Sequence, residues 1–188
     1  VLMEIFHKAR QIMRASGNLD QWNDSYPSQD IILNDIDNGY CVLLCECSET
    51  DGKETVIATM SFIPGPDPTY SYIEKGPWDT TQSPTNGSWI DDRPYYVIHR
   101  IAVAEPGHNA AKALLDWGFT YIKENDAAHS IRIDTHRDNV IMHHILRKYG
   151  FDLCGVIYLA NGDARDAYQL SKLKSFISKP QHSLFSSF

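Results

Sequence analysis

The sequence lacks any apolar run approaching the roughly 18 residues a membrane-spanning helix needs, and its opening residues do not read as a secretory leader. No membrane partner is expected, and a cytoplasmic setting is. An excess of positive charge is missing too: 17 Lys and Arg stand against 24 Asp and Glu, a formal net charge of -7. Gripping phosphate backbones requires a concentrated cationic surface, so nucleic acid is not expected as a partner. The same negative field mildly favours encounter with a cationic molecule such as an amine.

Cysteine is scarce, and Cys41, Cys45, Cys47 and Cys154 form no C-x-x-C pair, which removes the common zinc and thioredoxin-like patterns. Cys41, Cys45 and Cys47 share one parity in a β-rich run, so they are expected to face one side of a strand as small apolar residues. His136, His143 and His144 crowd one region without the H-E-x-x-H spacing, so no metal is expected. His143 and His144 fall on the polar side of a helical pattern and are expected to be solvated. Asn86-Gly87-Ser88 fits a glycosylation sequon, but without a leader it reads as a turn. There are no internal repeats.

What is present suits one domain able to bury a core without disulfides: 188 residues, 43% hydrophobic and 22% charged. Residues 1–174 are assigned to that domain and 175–188 to a peripheral Ser- and Phe-rich tail. Leu2, Ile5, Phe6, Ala9, Ile12 and Met13 make one apolar stripe, predicting an amphipathic helix over Val1 to Arg14. A second helix is predicted from Ser28 to Asn38, stopped by Gly39. Tyr40 to Ser48 and Glu54 to Phe62 read as an antiparallel hairpin around Thr50-Asp51-Gly52. Ile63 to Arg93, rich in Pro, Gly, Asp and Ser, is too long for an ordinary connection and reads as a functional loop. Then come a strand from Tyr95 to Val103, a helix from Asn109 to Asn125, a strand from Ser130 to Asp134, and a helix from Val140 to Tyr149 ended by Gly150. Two more strands, near Phe151 to Leu159 and Ala164 to Leu170, flank the Asn161-Gly162-Asp163 turn.

The order from Tyr95 to Phe151 — strand, Pro106-Gly107-His108-Asn109-Ala110-Ala111 turn opening a helix, strand, Asp138-Asn139, short helix — resembles the acetyl-CoA-binding core of the GCN5-related N-acetyltransferase (GNAT) superfamily. A narrower resemblance, through Gln21-Trp22, Tyr26-Pro27, His99 to Val103, Asp134-Thr135-His136, Asp138-Asn139 and Asn161 to Arg165, points to a bacterial subgroup of it. The resemblance implies an α/β fold with a central mixed, mostly antiparallel sheet flanked by helices on both faces. It also implies a short strand preceding the first helix, so residues N-terminal to Val1 are expected. The implied activity is transfer of an acetyl group from acetyl-CoA to a primary amine, on a small molecule or a peptide, by direct attack in a ternary complex. An acyl-CoA-binding or regulatory module with little turnover is the alternative, a larger acyl group is a third reading, and a homodimer stays open.

In the family the first strand lines the pantetheine arm, here Ile101, Ala102 and Val103, and the turn with the helix start holds the pyrophosphate, here Gly107, His108, Asn109, Ala110, Ala111 and Lys112. The usual turn runs Gln or Arg, two residues, Gly, one residue, then Gly or Ala. Ala111 conforms, and Asn109 is the next-best residue to Gly for a left-handed backbone. Pro106 departs and removes a donor, which shifts the phosphate contact toward His108 and Lys112. Asn139 occupies the position of the asparagine that contacts the cofactor, although Asn is also a good helix cap. The tyrosine that often follows it as general acid is replaced by Leu146.

An alkyl amine has a reference pKa of about 10.4, so supplying the neutral nucleophile at pH 7 costs on the order of 4 to 5 kcal/mol, and a base is expected. His99 on the cofactor strand is the first candidate, expected by parity to share a face with Val97, Ile101 and Val103. Asp134 at the end of the neighbouring strand is the second, with pairing to Arg100 or Arg132 as its structural alternative. The acyl oxyanion would be held by a backbone N–H around Ile101 to Val103. Trp22, Tyr26, Tyr72 and Trp78, aromatic residues in loops, are the candidates for the acceptor pocket, with packing against those loops as the alternative.

Overall fold

The computed structural model describes residues 1–78, 93–107 and 109–171. His108, the sequon, the middle of the Ile63 to Arg93 loop and the 175–188 tail lie outside the described residues. In chain order the elements are α1 (Leu2–Ala15), α2 (Gln29–Asp37), β1 (Cys41–Cys47), β2 (Glu54–Pro64), a single 3-10 turn (Pro68–Tyr70), β3 (Tyr95–Val103), α3 (Ala110–Glu124), β4 (Ser130–Thr135), α4 (Val140–Tyr149), β5 (Asp152–Tyr158) and β6 (Ala164–Ser171). The strands form one six-stranded sheet ordered β1-β2-β3-β4-β6-β5. Of the neighbouring pairs only β3 and β4 are parallel, with α3 as the crossover helix between them.

Helices cover both faces. On one, α3 and α4 bury Leu114, Leu115, Ile122 and Leu146 against Met60, Phe62, Ile98, Ile131, Ile133 and Tyr168. On the other, α1 packs Ile5, Phe6 and Ala9 with Ile32 of α2 against Ala102. Farther along that face a third cluster joins Tyr70 and Trp78 to Tyr95, Val97, Ile157 and Ala167, so the segment after β2 does the covering where α1 and α2 do not reach. An isolated bridge fastens this segment: Glu74 and Val156 exchange both backbone bonds at 2.8 Å. The approach is close enough that a Cβ on Gly76 would fall 1.9 Å from the Cys154 carbonyl oxygen.

Helix boundaries follow local chemistry. Ser28 caps α2 by accepting from Ile31 N, and Asn139 caps α4 by accepting from Met142 N. Gly150, at φ 98°, ends α4 in the left-handed conformation. Among the described residues no helix is long and apolar enough to cross a membrane.

Two patterning expectations fail for identifiable reasons. Past the Ser61↔His99 pair, β2 advances two residues to Thr59 while β3 advances three to Ala102, so β3 carries an extra residue opposite Met60. The bulge sits at Arg100, whose φ is 52°. It reverses the alternation: Ile101 and Val103 join the α3 side with Ile98, whereas His99 keeps the opposite side. On β1 the cysteines do share a face, but Val42 and Leu44 take the core and Cys45 and Cys47 are exposed. They are therefore not buried apolar residues.

Candidate active site

The β3–β4 ladder stops at Ile98↔Ile133. Beyond it the two parallel strands no longer bond each other, and a cleft of about 490 Å3 opens between them, lined on its floor by Ile98 to Ile101 and Ile133 to Thr135. The loop after α1 supplies one wall with Asp20 to Asn23 and Tyr26, and Asp67 and Thr69 supply another. Asn139, Met142, Asn161, Asp163 and Arg165 complete it. Parting strands leave the facing backbone groups of β3 unpaired by the ladder, which is where an extended ligand and an oxyanion can find N–H donors.

Both residues expected to carry proton chemistry line this cleft. His99 Nε2 lies 2.9 Å from Asp67 Oδ2. Burial works to raise the Asp67 carboxyl, but the bonds from His99 and from Thr69 N outweigh it and hold it below the ordinary carboxylate range. Asp134 pairs with neither Arg100 nor Arg132. It accepts a 2.6 Å bond from the Tyr70 hydroxyl, and its other oxygen stands 3.9 Å from Arg165 Nε. Burial, then the adjacent Asp134 charge, push the Tyr70 hydroxyl well above its usual range. Arg165 also pairs with Asp163. Arg100 forks onto Asp35, with Nε to Oδ2 at 2.7 Å and Nη2 to Oδ1 at 2.9 Å. Both cleft arginines are thus neutralised locally, while Asp20 has no ion-pair partner among the described residues, so the wall keeps a negative bias.

The residues expected to meet acyl-CoA divide into strand and turn. Ile101, Ala102 and Val103 follow the bulge, with Ile101 at the cleft floor. Gly107 has φ 107° with open space around it, and Asn109 adopts the left-handed conformation at φ 52°, ψ 17°. Asn109 makes no side-chain cap, so the first-turn N–H groups of α3, from Ala110, Ala111 and Lys112, have no cap bond from Asn109. First-turn amides without that cap, at the positive end of a helix dipole, fit a pyrophosphate. Lys112 is engaged by Asp116 one turn on, a carboxylate that also accepts from Tyr149. The cleft lining does not extend to Gly107, Asn109, Ala110, Ala111 or Lys112.

Asn139 does two things visible in the structure. Its Oδ1 caps α4, and its Nδ2 donates to Gln21 Oε1 at 2.8 Å. Gln21 Oε1 also accepts from Asn18 Nδ2 at 2.8 Å, and the Gln21 carbonyl accepts from Arg165 at 3.4 Å. Gln21 therefore ties the loop after α1 to α4 through its side chain and to β6 through its backbone carbonyl.

The four aromatic candidates separate. Trp22 and Tyr26 line the cleft, their rings 5.9 Å apart, and the Tyr26 hydroxyl accepts from Arg100 at 3.4 Å. Trp78 does not line it: the indole is buried, stacked on Tyr70 with centroids 5.2 Å apart, lies 4.4 Å from the Arg132 guanidinium, and its Nε1 donates to the Tyr70 carbonyl. Tyr72 is exposed, its hydroxyl bonded to Glu74, and with Trp78 it borders a separate groove. His143 is buried rather than solvated, because β6 brings Tyr168 OH to 2.7 Å from its Nδ1. Asp67, Tyr70 and Gln21 join the site without a sequence signal for a role of their own. Asp67 and Tyr70 lie in an aperiodic loop, and Gln21 was noted only within a motif.

No family model matches the sequence, and no curated protein does. Solved structures do. An acetyltransferase of the GNAT family from Streptococcus agalactiae 2603 is 30% identical, with 91% of this chain and 88% of that one covered at a TM-score of 0.67. This chain belongs to the GNAT family. A second GNAT acetyltransferase, from Listeria monocytogenes 4b F2365, is 21% identical over 90% of this chain and 87% of the other, TM-score 0.60. The PaiA N-acetyltransferase of Thermoplasma acidophilum, in complex with coenzyme A, shares the fold at 14% identity and a TM-score of 0.53, covering 90% of this chain and 92% of that one. A GNAT fold with CoA-binding structural neighbours is thus in place, and the site just described lies where its two parallel strands part.

Proposed function

We propose that the protein transfers an acetyl group from acetyl-CoA to a primary amine bound in the β3–β4 cleft, with His99 as the base. The observation that carries this reading is the parting of β3 and β4 beyond Ile98 and Ile133 with His99 beside the opening. The thioester would lie along β3 past the bulge, its carbonyl oxygen near backbone N–H groups of Ile101 to Val103, and the pyrophosphate at the Gly107 to Lys112 turn. Between the two candidate bases, Asp134 already accepts a hydrogen bond from the Tyr70 hydroxyl and faces Arg165. His99 uses one ring nitrogen on Asp67 and, among the described residues, forms no hydrogen bond through the other. The negative bias of the wall favours a cationic acceptor, and Trp22 and Tyr26 offer it aromatic faces.

Leu146 in the position of the family's usual tyrosine favours the second reading, a module that binds acyl-CoA and turns it over poorly. The deciding experiment follows CoA release from acetyl-CoA across a panel of polyamines, amino acids, aminoglycosides and peptide N-termini, with His99→Gln in parallel. Amine-dependent release lost in His99→Gln supports the enzyme. Tight CoA binding by calorimetry with no release from any amine supports the module.

A further inference from the structure

We propose that Asp67 is the positioning residue of His99: its carboxylate holds the imidazole in the tautomer whose proton is on Nε2 and whose lone pair is on Nδ1. The inference rests on the reading of the cleft as the acyl-transfer site with His99 as base, and it adds a residue that comes from a different part of the chain.

The geometry carries it. Asp67 Oδ2 is 2.9 Å from His99 Nε2, while Oδ1 accepts from Thr69 N at 2.8 Å. The Asp67 amide itself donates to the Tyr95 hydroxyl at 3.0 Å. Two bonds, one to the backbone and one to the carboxylate, therefore fix Asp67 before it meets the ring, and the segment bearing it is fastened to β5 through Glu74 and Val156. Tyr70 stands edge-on to the imidazole with centroids 6.1 Å apart, fixing a second side. An ionised carboxylate only accepts, so the nitrogen it touches must carry the proton and the other must carry the lone pair.

The charges facing His99 single out Asp67. On β3 itself, Arg100 is forked onto Asp35. From β4, Asp134 accepts a hydrogen bond from the Tyr70 hydroxyl, and from β6, Arg165 is held by Asp163 and lies near Asp134. Asp67 is the anion in direct contact with the ring, so a proton gained at Nδ1 leaves an imidazolium whose other N–H already points at a carboxylate.

The proton then has a defined route. An ammonium acceptor gives one proton to Nδ1, freeing the nitrogen lone pair that attacks the thioester carbon and forms the C–N bond. Collapse breaks the C–S bond, whose electron pair leaves on sulfur; the thiolate takes the second nitrogen proton, and the imidazolium returns its proton to solvent.

Asp67→Asn tests this without removing the local fold. Asn Oδ1 can still accept from Thr69 N, but the amide NH2 then faces His99 Nε2, which must become an acceptor with the proton moved to Nδ1. Long-range proton–nitrogen spectra of the imidazole, assigned by their loss in His99→Gln, should report an Nε2-protonated neutral ring in the wild type and an Nδ1-protonated ring in Asp67→Asn. With an acetylated amine in hand, Asp67→Asn should lower kcat on the order of 100-fold or more with an unchanged KM for acetyl-CoA, and Asp67→Glu should restore part of the rate. A wild-type ring protonated on Nδ1, or a tautomer unchanged in Asp67→Asn, overturns the proposal even if amines are acetylated. The expected tautomer change in a protein that acetylates no amine supports the pairing and sinks the acyl-transfer reading instead.

Discussion

Removing the Asn139 amide tests whether this residue is structural, ligand-binding or both. Its Oδ1 accepts from Met142 N at 3.1 Å and its Nδ2 donates to Gln21 Oε1 at 2.8 Å, with only 6% of the residue exposed. In Asn139→Ala the first turn of α4 loses its cap, about 1 kcal/mol. Gln21 Oε1 keeps its bond from Asn18, so the lost inter-element bond adds a net of about 1 kcal/mol rather than a full desolvation penalty. The sum, about 2 kcal/mol, corresponds to a fall in melting temperature of about 4 to 8 °C for a domain of this size. Asn139→Ser separates the parts: the hydroxyl still caps but is too short to reach Gln21, so its loss should be smaller than that of Asn139→Ala. Urea titration of both variants gives stability, and calorimetry with CoA gives affinity. A melting temperature of Asn139→Ala within 1 °C of wild type would refute the geometric argument. Lost stability with intact CoA affinity would remove the cofactor contact implied by the family and leave the cap alone.

Further outcomes follow from other contacts. Gly76→Ala must displace its segment from the Cys154 carbonyl, so it should destabilise the protein by about 1 to 3 kcal/mol and lower turnover through Asp67; a wild-type unfolding midpoint would contradict the close packing. Leu146→Tyr should not create a general acid, because Leu146 is fully buried under α4; the ring and its unpaired hydroxyl should cost about 1 to 3 kcal/mol, and a stable variant with raised kcat would count against the packing described. The Asp67 carboxyl is depressed in the folded state, so its contribution to stability is present above the unfolded carboxyl pKa of about 3.9 and is lost as pH falls through the lower folded value. Asp67→Asn should therefore weaken the protein at pH 7 and narrow its deficit below about pH 4, read as urea midpoints across that range.

The fold was legible because its signals are local. Apolar spacing drew α1, parity drew β4, and Gly39 and Gly150 marked helix ends where left-handed backbone is needed. The bulge was not legible. Its left-handed residue is Arg100, which has no intrinsic preference for that conformation; it is held there by Asp35, Ser61 and Tyr26, partners 65, 39 and 74 residues away. The same distance effect hid Asp67, which sits 32 residues from His99 in a stretch with neither helical nor strand period. His143 looked solvated because a helical pattern says which side is polar but not which strand will lie on it. Trp78 and Tyr72 were chosen by position in a loop, and a loop that packs on the sheet buries some of its aromatic residues and exposes others.

In the proposed reaction, the replacement of the usual tyrosine by Leu146 shifts the catalytic demand rather than removing it. A thiol of reference pKa about 8.5 departs as thiolate with little help, whereas the ammonium acceptor must lose a proton against a gap of more than three units at neutral pH. Tyr70 does not stand in as the acid: its hydroxyl proton is committed to Asp134, and burial with that adjacent charge makes the proton harder still to release. What Tyr70 does is occupy Asp134, which leaves His99, the base of the proposed reaction, with a ring nitrogen that makes no hydrogen bond among the described residues. A GNAT site that spends its buried polar contacts on orienting one imidazole, and none on protonating the leaving sulfur, is suited to basic amines of high pKa, for which deprotonation is the larger barrier. Weakly basic aromatic amines, already neutral at pH 7, should gain little from His99, so His99→Gln should depress kcat/KM for alkyl amines far more than for anilines of similar size. Equal losses on both classes would show that His99 binds or positions the acceptor instead of deprotonating it.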